Sequence, residues 1–470
     1  MRRVSTLVPP VVLLAGPTVL AFFSGGYFTD ARLVALVIAF LTLAVAAAGA
    51  DRASLHGLVR DRAVLATLGG LLLLGAWTWA SAAWAPLEAA AVDSRERTFL
   101  YLAVVAAGVL AFSRRAAAEW AEPALAAGIV VVVGYGVLGD LGVIDVERTR
   151  SAGGRLDQPL TYWNAMGALA AIGFVLCVRL AGARTRPFRL RVIAAAAAPL
   201  VGLGVYLTFS RGGLTALAVG LAVLLAFSPT WSQLRAVAIG LEGAVLAVAA
   251  SEALPDAAAL VVLAGLMIGC AAGQGWSAGS EEEASTRTGP LPHAGRLRAV
   301  AWGAAAVFAL APFVAGVIDK GEAPANPAFG ATAERLGSSG SHRYAYWRVA
   351  VRTFADEPAV GVGAGGFAAA WLEHRTIDET VRDAHSLPLE TAAELGIVGL
   401  LLLALVYGVV VAAIVRSSRT DPALVAGPTA ALAVWAAHSA IDWDWEMPAL
   451  TLVAAALAGL VLARGYHRAP

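Results

Sequence analysis

The stretch HSLPLETAAELGIVGLLLLALVYGVVVAAIV, residues 385–415, joins a polar start to a long apolar run. The run from 391 to 415 is long enough to cross a bilayer as an α-helix, which needs about 20 apolar residues. Backbone groups inside lipid must be hydrogen-bonded within their own segment, and a helix achieves this. His385 and Ser386 stand where a loop leads into that helix. The stretch therefore predicts a membrane helix with a titratable side chain at one end.

The composition of the whole chain is that of an integral membrane protein. Of 470 residues, 59% are hydrophobic and 14% are charged, whereas soluble domains carry about 25% charged residues. The net charge of +1 gives no indication of a nucleic-acid partner. Cys177 and Cys270 lie in separate apolar runs, so neither a disulfide framework nor a zinc site is predicted.

Apolar runs of roughly membrane-spanning length recur along the chain. They lie at 7–26, 32–50, 63–83, 98–113, 124–143, 161–180, 191–209, 212–228, 235–251, 256–276, 298–318, 391–415, 423–441 and 449–464. The fold class predicted from them is an all-α polytopic membrane protein with about 12–14 transmembrane helices. We expect a large external loop before the last helices, because the longest polar segment precedes residue 391.

The distribution of arginine predicts how the helices are oriented. Arginine is more frequent in the loops that face the cytoplasm when the N-terminus is placed inside, for example at Arg184 and Arg186. Both termini are then cytoplasmic, and His385 lies on the external face. The expected regions are a membrane bundle of about eleven spans, an external loop and three final membrane helices. Their bounds are 1–318, with a cytoplasmic linker at 277–296, then 319–388 and 389–470.

The external loop contains the pattern of an amphipathic helix over 341–356. Four apolar side chains fall on one helical face: Tyr344, Trp347, Val351 and Phe354. Arg343 lies at the margin of that face and in the first turn, where the free N–H groups also favour an anion. The alternative is a helix on the membrane surface with solvated arginines.

Three other polar motifs occur near predicted helix ends. Ser210-Arg211-Gly212-Gly213 is either an anion clamp or a turn whose Arg211 reaches lipid headgroups. Gly361 to Phe367 matches G-x-G-x-x-G, but it lacks the βαβ context of a dinucleotide site, so we interpret it as a turn that permits close backbone approach. Residues 438–446, HSAIDWDWE, offer Asp442 and neighbouring carboxylates beside indoles, which suits an acceptor sugar or an interfacial aromatic belt equally.

Taken together, four pieces resemble the O-antigen ligase family of bacterial membrane glycosyltransferases, which includes ligases, oligosaccharide polymerases and protein O-oligosaccharyltransferases. The pieces are Ser210-Arg211-Gly212, Arg343 with Trp347, Pro358 through Gly361-Val362-Gly363 to Phe367, and His385-Ser386-x9-Gly396-x-x-Gly399. The last follows the family's H-[NSQ]-x9-G-x-x-G pattern at every position. The resemblance covers about residues 155–445.

The resemblance implies a C-type glycosyltransferase fold and transfer of a glycan from an undecaprenyl-pyrophosphate carrier to a hydroxyl of a glycan, lipid or protein acceptor. It implies neither a nucleotide sugar nor a metal, so no cofactor is expected. His385 would be the general base, and Arg211 and Arg343 would bind the pyrophosphate. We also expect Ser386 and Asp442 to contact substrate. The alternatives are a polytopic transporter or flippase, and a non-catalytic component of polysaccharide assembly.

Overall fold

The computed structural model describes residues 2–283, 291, 293–318, 330–332, 336 and 341–466. These residues are mainly α-helical, and no β-strand occurs among them. The helices are α1 (Arg2–Ala21), α2 (Thr29–Gly49), α3 (Arg52–Leu58), α4 (Arg62–Ser81), α5 (Glu88–Ala111), α6 (Arg115–Asp140), α7 (Trp163–Gly182), α8 (Phe188–Leu207), α9 (Arg211–Phe227), α10 (Trp231–Ala253), α11 (Asp256–Glu283), α12 (Ala294–Ile318), α13 (Arg343–Asp356), α14 (Phe367–His374), α15 (Leu387–Thr420), α16 (Pro422–Ser439) and α17 (Pro448–Tyr466).

Each of the fourteen predicted apolar runs falls in its own long helix, so the predicted all-α polytopic fold class is confirmed. Within the described ranges, ten helices are long and apolar enough to cross a membrane. Two further apolar stretches, Ser5–Ala21 and Arg211–Phe227, are shorter. Most of the predicted linker at 277–296 and the first part of the predicted external loop fall outside the residues, or the side chains, that the structure describes.

Helices α7 and α17 form the centre of the bundle. From Asn164 to Gly182 every residue of α7 is buried, whereas α2 and α12 expose most of their surface. Helix α7 packs against α8, α9 and α16, and α17 packs against α5 and α15. The alanine and glycine residues of α7 allow this close approach, which is the usual basis of helix association in lipid.

A second, smaller core lies between α13, α14 and the start of α15. It contains Trp347, Phe367 and Trp371, and the last two side chains are fully buried. The predicted helix at 341–356 is therefore observed as α13, and Tyr344 and Trp347 of its predicted face are buried, but the packed face is shifted. Val351 is 53% exposed, because the residues that α13 buries against α14 and α15 follow a different stripe: Tyr346, Val349, Ala350 and Thr353. Arg343 lies on this packed stripe, three residues before Tyr346.

Helix α15 is broken near its start, and the glycine-rich turn docks at the break. Gly396 has φ 62° and ψ −162°, a conformation that essentially only glycine adopts. Across the break, Ile397 N donates to Pro358 O (2.9 Å) and Gly363 N donates to Glu394 O (2.8 Å). A Cβ at Gly361 would lie 2.4 Å from the Glu394 backbone. The predicted close backbone approach is thus observed. These contacts hold the first turns of α15 in place, and α13 packs against α15.

Candidate active site

His385 occupies a strained position immediately before α15. Its φ is +54°, a conformation that non-glycine residues rarely adopt and that recurs at functional sites. The imidazole Nδ1 lies 3.0 Å from the carbonyl oxygen of Asp383. A carbonyl only accepts, so Nδ1 carries the hydrogen and the neutral ring leaves Nε2 free to take a proton. Trp347 Nε1 donates to the His385 carbonyl (3.3 Å), and the Tyr346 ring lies 5.1 Å away.

Burial keeps His385 uncharged at neutral pH. Desolvation lowers the pKa of its imidazole to about 4, although the negative charge of Asp442 opposes that shift. The ring is therefore a neutral base in the unliganded site. Ser386, the next residue, is completely buried, and its Oγ has no hydrogen-bond partner within the described ranges. It caps the start of α15 through its carbonyl, which accepts from Glu390 N (2.8 Å).

Arg343 forms an ion pair with Asp442 that joins α13 to the loop between α16 and α17. The Asp442 side chain is fully buried, whereas that of Arg343 is 22% exposed. Tyr162 OH donates to Asp442 Oδ1 (2.6 Å), and Asn164 Nδ2 donates to the Tyr162 hydroxyl (2.8 Å). Burial raises the pKa of Asp442, but Arg343 and two histidines outweigh it and hold that pKa below its ordinary value. Asp442 is thus a buried carboxylate that contacts Arg343 and Tyr162, and its predicted contact with substrate stays a prediction.

Arg211 begins α9 and presents a second guanidinium to the same region. Ser210 caps this helix, with its Oγ accepting from Gly213 N (3.1 Å). A Cβ at Gly212 would lie 3.0 Å from His438 Nε2, so a larger residue there would press on the His438 ring. Arg211 and Arg343 interact electrostatically. Two neighbouring guanidinium groups suit a ligand with more than one negative charge.

His438 and Asp444 form a buried pair, and the sequence pattern at 438–446 did not predict their contact. Their closest atoms, His438 Nδ1 and Asp444 Oδ2, are 2.8 Å apart, and both side chains are fully buried. The polar side chains of the segment from His438 to Glu446 are therefore buried, and its role on the acceptor side stays a prediction. The tight spacing of polar residues at the end of an apolar run was the signal that pointed to this segment.

Three carboxyl groups gather near His385, and one of them belongs to Asp383, whose carbonyl accepts from His385. Ligand atoms of Asp383, Glu390 and Glu446 lie within 4.8 Å of one another, an arrangement able to hold a cation. Glu446 also forms an ion pair with Arg97, and Ala384 N donates to Glu390 (2.6 Å). Burial and the neighbouring Glu446 raise the pKa of Asp383 well above its ordinary value. We call this group, with Arg97, the acidic cluster.

The carboxylates of the loop before His385, at Asp378, Glu379 and Asp383, do not come together as one group of oxygen ligands. The side chain of Asp378 is 98% exposed and lies 3.4 Å from Arg375. Glu379 instead accepts from Tyr346 OH (2.7 Å) and lies 2.8 Å from His342. Only Asp383 of the three joins a carboxylate group, and its partners come from α15 and from the loop before α17.

A cavity of about 460 Å³ extends from the acidic cluster between the membrane helices. Its polar end is formed by Arg97, Glu390, Glu394 and Glu446. Most of the remaining lining is apolar and comes from α4, α5, α15, α16 and α17. Its size is within the range of ligand sites, roughly 300–1,000 Å³.

A family comparison supports the resemblance. Residues 194–404 match the family model described as O-Antigen ligase. This part of the chain, which is less than half of it, is similar to the O-antigen ligase family. The predicted family is thereby confirmed, and the match and the apolar helices together support a role as a membrane glycan ligase or polymerase. The matched range includes Arg211, Arg343 and His385 and stops before Asp442. A search of curated proteins found no match.

Proposed function

We propose that this chain transfers a glycan from an undecaprenyl-pyrophosphate carrier to an acceptor hydroxyl on the external face of the membrane. The observation that carries the proposal is the hydrogen bond from His385 Nδ1 to the Asp383 carbonyl, 3.0 Å long, which leaves Nε2 as a base. This base lies beside an arginine pair suited to a pyrophosphate. The external assignment rests on the arginine distribution along the sequence.

The first part of the reaction is activation of the acceptor. The acceptor hydroxyl transfers its proton to His385 Nε2 as its oxygen forms a bond with the anomeric carbon of the donor glycan. Because His385 is neutral over the physiological range, the proton acceptor is present without a prior deprotonation step. The nearby Asp442 charge then stabilises the imidazolium that forms.

The second part is departure of the carrier. The bond between the anomeric carbon and the pyrophosphate oxygen breaks, and its electron pair remains on the carrier pyrophosphate. Arg211 and Arg343 neutralise that developing charge, and guanidinium groups pair with phosphate oxygens in two-point contacts. Asp442 and Tyr162 hold Arg343 in place before the donor arrives, so little reorganisation is needed.

The regions expected from the sequence have distinct roles in this proposal. Residues 1–318 and 389–470 supply the membrane bundle, and 319–388 supply the external loop that carries Arg343. Ser386 acts as a structural residue at the start of α15, because its side chain is buried. No cofactor takes part in the proposed steps.

Replacement of His385 by Gln tests the proposal. Gln keeps hydrogen bonding but is not basic, so we expect transfer by purified protein from carrier-linked glycan to fall about 10²- to 10⁴-fold. The matched control is His374→Gln, at the end of α14 and outside the site. Thermal unfolding of both variants should resemble that of the parent protein. Transfer by His385→Gln at the parent rate would refute the general-base role.

A further inference from the structure

The loop that carries His385 is held in an unfavourable backbone conformation. His385 has φ +54°, and Gly396, at the break in α15, has φ 62°. The helical segment between them, residues 387–395, forms the start of α15. Conformations of this kind persist only where the surrounding contacts determine them. The contacts that join the loop to this segment therefore decide where the proposed base lies.

Glu390 bonds to this loop through both its side chain and its backbone. Ala384 N donates to Glu390 Oε2 (2.6 Å), and Glu390 N donates to the Ser386 carbonyl (2.8 Å). The side chain thus reaches back past the start of the helix, as the glutamate of a capping box does. Trp347 Nε1 donates to the His385 carbonyl over a longer distance, 3.3 Å. Glu390 therefore holds the residues on both sides of His385.

The bond from Ala384 to Glu390 is shielded from water. Ala384 is completely buried, and Glu390 is only 6% exposed. A buried N–H group that loses its acceptor bears the cost of desolvation, so the backbone moves toward another acceptor or toward water. Because His385 is strained, a movement that relaxes its φ is also favoured. Loss of the Glu390 acceptor is thus expected to release His385 from its position.

The side chain of Glu390 is held in place by its neighbours in the acidic cluster. One of its oxygens lies within 4.8 Å of carboxylate oxygens of Asp383 and Glu446. Glu446 is in turn paired with Arg97 on α5. Buried polar groups in such a network fix one another's positions. The cluster therefore supplies a rigid support from which Glu390 reaches the loop.

Glu394 provides an internal comparison, because it lies one turn further along the same helical face. Its carboxylate accepts from Gly365 N (2.8 Å) and Phe367 N (3.1 Å), which belong to the glycine-rich turn and the start of α14. The two glutamates therefore bond to different segments of the chain. Of the two side chains, that of Glu390 contacts the loop of the base.

We propose that Glu390 is a positioning residue for the general base. Its side chain holds Ala384 and, through Ala384, keeps His385 where Nδ1 donates to the Asp383 carbonyl. Nε2 is then left free for the acceptor hydroxyl. This inference rests on the proposed transfer function and adds to it a residue that acts through His385.

Replacement of Glu390 by two side chains of similar length tests this role. Gln keeps an oxygen that accepts from Ala384 N, whereas the thioether of Met accepts only weakly. We expect kcat of Glu390→Met to fall about 10²-fold, the loss that a displaced catalytic group can cause. Its donor KM should stay within about twofold, because Arg211 and Arg343 lie on other helices. Glu390→Gln should keep kcat within about threefold of the parent value, because the acceptor is retained.

Nitrogen NMR measures the position of the His385 ring without catalysis. The full-length protein, labelled at histidine and held in nanodiscs, is studied at neutral pH. The ring should be the Nδ1–H tautomer in the parent protein and in Glu390→Gln. In Glu390→Met, loss of the bond to the Asp383 carbonyl should give a mixture of the two neutral tautomers. Glu394→Met is the matched control, because it removes an acceptor from the same helical face and should leave the His385 signal unchanged.

The outcomes distinguish this inference from the proposed function. Parent-like kcat and an unchanged His385 signal in Glu390→Met would refute the positioning role and leave the transfer function intact. The same change of signal in Glu394→Met would make the effect a general weakening of α15 and overturn the role. If Glu390→Met does not fold, a mixture of tautomers in Glu390→Gln would overturn it as well. If His385→Gln transferred at the parent rate while Glu390→Met changed the His385 signal, the general-base function would fail, although Glu390 would still position the ring.

Discussion

Two groups of charged side chains near His385, a basic side and an acidic side, hold their charges differently. On the basic side lie Arg211 and the Arg343–Asp442 pair; burial raises the pKa of Asp442, but Arg343 holds it below its ordinary value. On the acidic side lie Asp383, Glu390 and Glu446 with Arg97, and burial raises the pKa of Asp383 well above its ordinary value. A phosphorylated donor is attracted to the guanidinium groups of the basic side. The comparison teaches that the basic side keeps the fixed charges that a pyrophosphate leaving group needs.

The largest effect on the basic side should come from replacing its arginines by lysine. Arg211→Lys and Arg343→Lys keep the charge but lose the two-point contact with phosphate, so we expect transfer to fall about 10²- to 10³-fold. Initial rates with purified protein and carrier-linked glycan measure this. Arg352→Lys is the control, because Arg352 lies on α13 with a side chain that is 62% exposed. Parent-like rates for both site variants would remove the arginine pair from the reaction.

A smaller effect is expected at the carboxylate that orients Arg343. Asp442→Asn removes the ion pair but keeps an oxygen that can accept from Tyr162, so we expect KM for the donor to rise about tenfold, about 1.4 kcal/mol. Asp444→Asn is the matched control in the same loop, because Asp444 contacts His438 instead. It should affect thermal unfolding more than donor KM. An unchanged donor KM for Asp442→Asn would mean that Arg343 is oriented by other contacts.

The acidic side allows the sharpest test of a competing mechanism. Its carboxylates could hold a divalent cation, but the proposed reaction neutralises the leaving group with arginine. We therefore expect no change in transfer rate in excess chelator. Glu390→Gln serves as the companion variant and should leave donor KM unchanged. Loss of transfer in chelator and its return with Mg²⁺ or Mn²⁺ would replace the arginine account with a metal site.

Much of the fold followed from the sequence because lipid restricts the solutions available to a chain. The fourteen apolar runs became helices, since a spanning backbone must bond to itself. The face of α13 was predicted in part. Helical spacing of large apolar residues indicated Trp347, which is buried, and Val351, which is exposed, whereas Ala350 and Thr353 are packed against the neighbouring helices. Small side chains carry little hydrophobic signal, and their burial depends on close tertiary packing.

The individual motifs of the site could be recognised in the sequence, but the contacts between them could not be predicted. His385, Arg211 and Arg343 stand at helix ends with clear motifs. By contrast, the pairing of Arg343 with Asp442 and of Arg97 with Glu446 joins residues far apart in the chain. The acidic cluster forms only because the loop after α14 folds back on the broken start of α15. No local pattern encodes such a contact, so the cavity and its acidic end were not predicted.

The protonation state of His385 is the most direct measure of the central claim, that a neutral imidazole with a free Nε2 acts beside the arginine pair. Nitrogen NMR of protein labelled at histidine, with His385→Gln used to assign the signal, follows this ring across pH. We expect the Nδ1–H tautomer and a pKa near 4, because burial disfavours the charged form. The base is then present at all pH values above about 4, and it is lost as the pH falls through that value. An Nε2–H tautomer, or a pKa at or above the ordinary value of about 6.5, would contradict the account.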